Sequence, residues 1–372
     1  PKVHIEYTKK NIENYETDLL DALASGNGPD IFSISNSWLP KYLDKTQPAP
    51  SKVFTYNDYK DTFLDVVTGD FTKDTKIYGT VFDIDTLALY YNKDILGSSG
   101  FASPPKTWEE MGRQVRNITK QDSRGYFSVS GVSMGTTANI NRAQDILYLL
   151  MLQQGVQPWS SDLSRPTFAQ QVEKNGKQRF PGPLALSFYT SFANPNSPNY
   201  TWNAQSDYSL DAFANGRTAF MYGYAFNRST IVAKSPNLNF DVAPVPQVSL
   251  DEPRVNFANY FGEVVSKQSK NADIAWDFLK FATSKESLDK YYKTYKYPSS
   301  RKDLVEAQTQ DPILGVFSYS GLTAKNFYRP DQAKVDTIML KAIDNVVLSG
   351  LKSDQAMGQA EQQVSTIGSG VY

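Results

Sequence analysis

The side chains available for chemistry in this 372-residue chain are mainly carboxylates, amides and aromatic rings. Cysteine is absent, and His4 is the only histidine. This composition excludes disulfides, thiolate metal sites and cysteine nucleophiles, and it leaves imidazole chemistry to one residue that we expect to be exposed near the start of the sequence. No Walker loop, no cluster with metal-ligand spacing and no usable triad is present. We therefore expect a protein that is not an enzyme and that holds no metal or cofactor.

The excess of aromatic residues among the remaining types indicates a site that reads flat ligand faces, of which a sugar is one example. A sugar presents hydroxyl groups that favour planar, bidentate partners, and C–H faces that pack on aromatic rings. The chain has 23 Tyr, 21 Phe and 5 Trp, which is more than two cores need. Asn36 and Trp38 directly follow a predicted buried strand at residues 31–34, where a ligand contact is as plausible as an Asn-Ser turn with Trp38 packed on its own lobe.

Asp83 and Asp85 separate two predicted strands at residues 77–82 and 86–91. We expect their carboxylates to point apart, so that one of them faces a ligand and the other does not. The alternative role for either acid is hinge capping or a salt bridge.

Helical and extended patterns alternate along the chain, which predicts an α/β fold with mostly parallel sheets. Helices are predicted over residues 12–23 and 274–282 and over 335–346, where the apolar stripe is clearest. Another begins at Thr107 with Glu110 as its capping box, and residues 145–152 form a helix that is apolar on every side. Further strands are predicted at residues 219–224, 240–245 and 260–266. These elements must position the polar and aromatic side chains at strand ends.

Length and charge narrow the class of protein further. A chain of 372 residues suits two lobes rather than one core. The 38 basic and 39 acidic residues give a net charge of −1, which does not favour binding to nucleic acid or to an anionic membrane. No run approaches the ~20 apolar residues of a membrane span. We expect a monomer.

Five segments, taken in order, resemble the sugar-binding family of bacterial extracellular solute-binding proteins, which serve ABC importers and include maltose-binding protein. They are GNGPDIF at residues 26–32 running on to WLP at 38–40, residues 78–93 with DTLALYYNK, PPKTWEE at 104–110, AFANGRTAFM at 212–221, and the helix at 272–282. Together they cover nearly the whole chain.

The resemblance implies two α/β lobes of the periplasmic-binding-protein type, joined by crossover strands, with the ligand held in the cleft between them. Hinge closure would then present a surface to the transmembrane subunits of a permease. We expect one lobe to comprise residues 1–84 and 252–300, and the other 85–251 and 301–372. Family members usually carry a strand and helix before the segment matching residues 3–7. We therefore expect a longer precursor, exported and held at the outer face of the membrane by a lipid anchor.

The resemblance also implies which residues line the cleft. It places one or both of Asp83 and Asp85 at the passage between lobes, and a helix start facing the cleft after residue 142. It places a sugar-stacking aromatic in the segment 222–226, although alternation puts its three aromatic residues on one strand face, so core packing competes. The full candidate set is Asn36, Trp38, Asp83, Asp85, Asn139, Asn141, Arg142, Tyr222, Tyr224, Phe226, Asn259, Tyr260 and Tyr328.

Two other functions stay open. A binding protein could take a non-sugar solute such as a peptide, a polyamine or a polyol phosphate. A polyamine would need several cleft carboxylates, and a phosphate would need convergent cations or a helix start. A glycoside-active enzyme would need two carboxyl groups facing each other across the cleft, ~5–10 Å apart. One Arg, two Asp and several amides fit a neutral sugar better.

Overall fold

The computed structural model describes residues 3–174 and 176–368, which form a mixed α/β fold. The helices are α1 Tyr15–Ala24, α2 Leu39–Tyr42, α3 Tyr56–Thr62, α4 Asp65–Phe71, α5 Lys93–Ser98, α6 Trp108–Ile118, α7 Ala143–Gln153, α8 Pro181–Ser191, α9 Ser209–Ala214, α10 Asn227–Lys234, α11 Ala272–Ala282, α12 Lys285–Tyr295, α13 Lys302–Thr309, α14 Gly315–Gly321, α15 Gln332–Val347 and α16 Ser353–Ile367.

The strands are shorter than the helices and fall into several sheets. They are β1 Ile31–Ser35, β2 Thr72–Lys73, β3 Lys76–Ile77, β4 Gly79–Thr80, β5 Asp85–Thr86, β6 Ala88–Asn92, β7 Lys120–Gln121, β8 Phe127–Val132, β9 Val172–Lys174, β10 Lys177–Arg179, β11 Thr218–Gly223, β12 Phe240–Ala243, β13 Asn256–Asn259, β14 Phe261–Val265 and β15 Ala324–Lys325.

The first lobe is built on the three-stranded sheet β1-β14-β4. Its apolar core contains Phe32 and Ile34 of β1 and Val264 of β14, together with residues of α1, α3 and α4. Helix α11 covers Val265 through Trp276. The alternation of buried side chains along β1 is what the apolar run at residues 31–34 predicts.

The second lobe is built on the five-stranded sheet β12-β6-β11-β8-β7. Helices α6, α7, α8, α15 and α16 contribute to one large core around it. All but one residue of α7 are buried, which explains why this segment is apolar all round and confirms the predicted buried helix.

Three short strands join the two lobes. The chain passes from the core of one lobe to the core of the other at three places. Each place contributes one strand to the sheet β15-β13-β5. On either side of β5, Ile84 belongs to the first core and Leu87 to the second. Within β13, Phe257 belongs to the second core and Ala258 to the first. At β15, Ala324 belongs to the first core and Phe327, two residues after the strand, to the second. This sheet is therefore the crossing point of the fold.

The expectation of mostly parallel sheets is wrong. Among the paired strands that the structure describes, only β8–β11 and β13–β15 run parallel. Strands β6 and β14 are both antiparallel to their neighbours. Each of them continues directly from a crossing strand, whereas parallel neighbours need a return connection, usually a helix, within one lobe. A strand that arrives from the other lobe is free of that constraint.

The packing also bears on where each lobe ends. Val305 and Ala324 lie in the first core, and Lys302 forms an ion pair of 2.7 Å with Asp65. These contacts favour a third boundary near residue 325 rather than 300, and a second near 257 rather than 251. The division into lobes stays a prediction, which we revise to residues 3–84 and 258–325 for one lobe, and 85–257 and 326–368 for the other.

The helix starts predicted from the sequence can be compared with those in the structure. The backbone N–H of Glu110 donates to Oγ1 of Thr107 at 3.2 Å, which confirms the N-cap of α6. The Glu110 carboxylate accepts from the N–H of Lys106 instead of returning to Thr107. Helix α1 begins at Tyr15 rather than Ile12, and Ile12 is exposed. No helix in the described ranges combines the length and apolar character that crossing a bilayer requires.

Candidate functional site

The carboxylate of Asp85 connects the crossing sheet to the second lobe. Both of its oxygens accept the backbone N–H of Ala225 at 3.0 Å, in the turn that leads into α10. Burial raises the pKa of Asp85 to about 7, although hydrogen bonds from the backbone N–H groups of Ala225 and others oppose the rise. Asp85 thereby holds the 225–226 turn against the strand on which the chain changes lobe.

A stacked pair of rings stands on that turn. The rings of Tyr224 and Phe226 lie 5.8 Å apart with an interplanar angle of 16°. Tyr224 is 1% exposed and its hydroxyl donates to Oδ2 of Asp145 at 2.8 Å. Phe226 is 48% exposed. The outer side of the stack is therefore a flat apolar surface, held from behind by a buried hydrogen bond.

Arg142 and Asn141 lie beside this stack, at the start of α7. Arg142 adopts the left-handed conformation, with φ of 58°, and its guanidinium lies 5.9 Å from the centre of the Tyr224 ring. The Asn141 amide accepts the Tyr208 hydroxyl at 3.4 Å and is 3.4 Å from Oδ1 of Asn227. Positively polarised helix N-termini favour negative or hydroxyl oxygen atoms nearby. Arginine, amide and ring faces are thus gathered at one helix start.

A second polar cluster lies in the first lobe around Asp70, at the end of α4. Its carboxylate accepts the Tyr260 hydroxyl at 2.6 Å, the Asn326 amide at 3.1 Å and the Asn36 amide at 3.5 Å. Burial raises the pKa of Asp70 to about 7, and the three hydrogen bonds act against that rise. Asn259, one residue before Tyr260, pairs in register with Asp85. The Asp70 cluster therefore borders the crossing sheet from the first lobe.

Trp38 packs within the first lobe. Its ring stacks on Tyr42 at 5.8 Å and meets the edge of Phe261 at 6.3 Å, and it is only 8% exposed. Phe261, which pairs in register with Ser35 at the end of β1, is 40% exposed. Phe261 rather than Trp38 presents an aromatic surface to solvent at this strand end.

Asp83 and Asp85 do point apart. The Tyr291 hydroxyl donates to Asp83 at 3.1 Å, and Asp83 bridges to Ser299 in the first lobe. Regular alternation would place residues i and i+2 on the same face of a strand, so it cannot explain this divergence. Asp83 forms an isolated bridge to Ser299 and β5 begins only at Asp85, so the two residues do not belong to one regular strand. This contact within the first lobe favours a structural role for Asp83 over ligand binding.

Three other candidate residues contact core or loop groups rather than the Tyr224–Phe226 stack. Tyr222 is 1% exposed and packs on Trp108 with ring centres 5.9 Å apart, as core. The carbonyl of Tyr328 accepts from Trp159 Nε1 at 3.2 Å, and the two rings meet edge to face. The Asn139 amide donates to two loop carbonyls in the segment 203–206 at 2.9 Å each. These positions favour structural roles for all three residues.

The sequence reasoning missed several buried charges near the crossing. Arg329 is wholly buried, donates to Asp336 at 3.1 Å, and lies 5.4 Å from the Tyr148 ring. Its charge acts on both Asp70 and Asp145. Burial raises the pKa of Asp145 to about 6. Asp145 could have been identified from the sequence, because it is a carboxylate in the first turn of an otherwise apolar helix. The sequence gives no such signal for Asp70 or Arg329.

Metal binding finds no support in this arrangement. Within residues 3–174 and 176–368, no group of three or more His, Asp or Glu side chains is placed to hold an ion. What the residues around Asp85 offer is hydrogen bonding and stacking.

The whole chain was compared with known proteins. Residues 2–315 match the family of bacterial extracellular solute-binding proteins. The chain belongs to that family. A Brucella abortus protein named as a binding protein is 23% identical over 275 residues, covering 72% of this chain and 62% of that protein. The diacetylchitobiose binding protein of Streptomyces coelicolor is 24% identical over 300 residues, covering 78% and 63%. The chain thus spans a little over three fifths of these relatives.

Solved structures agree on the fold. The sugar-binding protein of the phytopathogen Xanthomonas citri superposes with a TM-score of 0.80 at 21% identity, covering 98% of this chain and 90% of that one. This solute-binding protein therefore has the two-lobed fold that the five segments predicted, and the family description places its members outside the cytoplasm.

Proposed function

We propose that this solute-binding protein captures a carbohydrate, a mono- or oligosaccharide, between its two lobes and delivers it to an ABC importer. The observation that carries the proposal is the Tyr224–Phe226 stack. Its half-exposed outer ring stands on the turn whose backbone the Asp85 carboxylate binds at the crossing between lobes. A sugar ring would pack its C–H face on Phe226, and its hydroxyls would reach Arg142 and the crossing-sheet polar groups.

The comparisons support a sugar as the solute. One relative is named for diacetylchitobiose, and the Xanthomonas citri protein is named as sugar-binding. Diacetylchitobiose is a neutral sugar. At the stack, the charge of Arg142 acts on the buried Asp145 carboxyl, and Asp85 accepts a backbone N–H. One arginine beside two acids is neither the set of convergent cations that a phosphate needs nor the set of several carboxylates that a polyamine needs, which favours a neutral polyol.

A glycoside-cleaving role is not favoured. Cleavage by a paired-carboxylate mechanism needs two acids facing each other across the substrate. Asp83 and Asp85 bond to opposite sides of the crossing, one to Tyr291 and the other to Ala225. The relatives named above are binding proteins. We therefore propose capture without turnover.

The partners follow from capture. Closure of the lobes around the three-stranded crossing sheet would create the surface that the permease subunits recognise. We propose a monomer, held at the outer face of the membrane by a lipid anchor in its full-length form.

A ligand screen tests this function. Thermal unfolding should be followed with a panel of neutral mono- and oligosaccharides, amino acids, peptides, polyamines and sugar phosphates. A bound sugar at a hundredfold excess over Kd should stabilise the protein by about 2.7 kcal/mol. The same mixtures, analysed by chromatography, should show no sugar turnover. Stabilisation by a non-sugar alone, or release of sugar products, would overturn the proposal.

A further inference from the structure

A cavity lies on the second lobe, away from the Phe226 stack. It encloses about 180 Å³ and is lined by Tyr126, Phe127, Trp202, Gln205, Asp207 and Arg217 among others. Phe127 begins β8 and Arg217 immediately precedes β11. Phe226 instead follows the end of β11, which runs parallel to β8. At roughly 3.3 Å per residue, the two sites lie about 20 Å apart, at opposite ends of the same strands.

The cavity combines an aromatic floor with a polar rim. Trp202 is 1% exposed, and its Nε1 has no hydrogen-bond partner within the described part of the chain. The same holds for Nε1 of Trp38 and of Trp276, so this indole N–H does not by itself mark a ligand site. On the rim, Arg217 and Asp207 form an ion pair of 2.6 Å. The Phe127 ring is packed edge to face against Tyr200 at 5.0 Å.

The loop that forms the rim is held in place. The Asn139 amide donates to the carbonyls of Asn203 and Ser206 at 2.9 Å each. Asn203 in turn accepts the N–H of Gln205 at 2.9 Å and donates to the Tyr200 hydroxyl at 3.1 Å. A site built on a braced loop needs little ordering when it binds. Asn139 therefore stabilises the rim of this cavity rather than the Phe226 stack.

From this geometry we infer that the cavity is a separate carbohydrate site that takes a single neutral sugar ring. Its volume lies below the ~300–1,000 Å³ of sites for drug-sized ligands, so it admits one ring. An adjacent Asp and Arg are the planar, bidentate groups that match vicinal hydroxyls. The Tyr126 ring, which lines the cavity and is 46% exposed, matches the C–H face of a sugar.

The charges at the cavity argue for a neutral ligand. Arg217 is neutralised by Asp207. The nearest additional cation seen at Tyr126 is Arg124, 5.3 Å from that ring, and it is paired with Asp122 at 3.2 Å. A phosphate or carboxylate would therefore meet no uncompensated positive charge in this group of residues. This site would hold a sugar unit outside the lobe cleft, so that it could be occupied whether or not the cleft is filled.

The experiment uses fluorine NMR of the full chain carrying 5-fluorotryptophan. The chain has 5 Trp, and single Trp→Phe variants assign their signals. D-glucose, D-galactose, D-mannose and N-acetyl-D-glucosamine are titrated one at a time. At least one should shift the Trp202 signal in a saturable way while the signal of Trp276, in the first lobe, stays fixed.

Three variants decide where the sugar binds. The Asp207→Ala/Arg217→Ala double variant should weaken the Trp202 titration at least about tenfold, with little change in stability because the ion pair is exposed. The matched pair Asp289→Ala/Lys293→Ala, an exposed ion pair in the first lobe, should leave it unchanged. Phe226→Ala should also leave it unchanged. No Trp202 shift with any of the four sugars, or a shift that Phe226→Ala abolishes and the Asp207/Arg217 variant retains, would overturn the inference.

Discussion

Both carboxylate oxygens of Asp85 accept the backbone N–H of Ala225 at 3.0 Å. This contact ties the first residue of a crossing strand to the turn that carries the exposed Phe226 ring. Any rotation of the lobes about the crossing sheet therefore moves the ring together with Asp85. The position of the stacking surface is set by the hinge rather than by a free loop.

Removal of the Asp85 carboxylate should reduce both stability and sugar affinity. The Asp85→Ala variant leaves the Ala225 N–H without its acceptor, at a cost of about 1–3 kcal/mol in the free energy of unfolding. Sugar affinity should fall because the turn below Phe226 loses its anchor. The matched variant Asp83→Ala loses only the Tyr291 contact and should change stability alone. Urea unfolding and calorimetric titration of both variants provide the readouts, and equal affinity in all three proteins would contradict the role of Asp85.

Asp70 should make stability depend on pH with a defined sign. Its pKa is about 7 in the folded protein, against about 3.9 when unfolded. Between these values the folded state holds a proton that the unfolded state has released. The contribution of Asp70 to the free energy of unfolding therefore falls as pH rises from about 4 to about 7, and is constant above.

The Asp70→Asn variant isolates that contribution, because asparagine does not titrate. Relative to the wild type, its free energy of unfolding should rise by roughly 1–3 kcal/mol between pH 5 and pH 8 at constant ionic strength. Chemical unfolding at the two pH values measures the difference. If the difference between the variant and the wild type instead stays constant between the two pH values, the carboxyl is already ionised at pH 5 and its burial does not dominate.

The hydrogen bond from Tyr224 to Asp145 should support the stack without touching ligand. Tyr224→Phe keeps the ring that packs on Phe226 and removes the 2.8 Å hydroxyl contact. We expect a loss of about 1–3 kcal/mol in the free energy of unfolding, with sugar affinity within about threefold of the wild type. A double-mutant cycle with Asp145→Asn should give a coupling of about 0.5–3 kcal/mol. A large affinity loss at unchanged stability would place the hydroxyl in the ligand site instead.

Much of the fold follows from local pattern, whereas the site depends on contacts between distant segments. Apolar periodicity and capping located α6, α7 and β1 because those signals lie within one element. Strand direction was wrong because it depends on the route between lobes, which periodicity does not carry.

The candidate site shows the same limit. Alternation predicts that Tyr222, Tyr224 and Phe226 share one strand face. It could not say that β11 ends at Gly223, so that Tyr222 and Tyr224 are buried and Phe226 is exposed. The partners of Asp70 come from residues 36, 260 and 326. A charge satisfied by three segments so far apart in the sequence leaves no local trace, and only the assembled fold brings them together.

The most direct measurement of the central claim is the affinity of a Phe226→Ala variant for the sugar that stabilises the wild type most. Phe180→Ala is the matched control, because Phe180 also lies in the second lobe and is also 48% exposed. Both variants should keep the wild-type melting temperature within a few degrees. By isothermal titration, Phe226→Ala should bind about 1–3 kcal/mol more weakly, roughly five- to 150-fold, and Phe180→Ala should bind like the wild type. Wild-type affinity in a folded Phe226→Ala protein would contradict sugar capture on this ring.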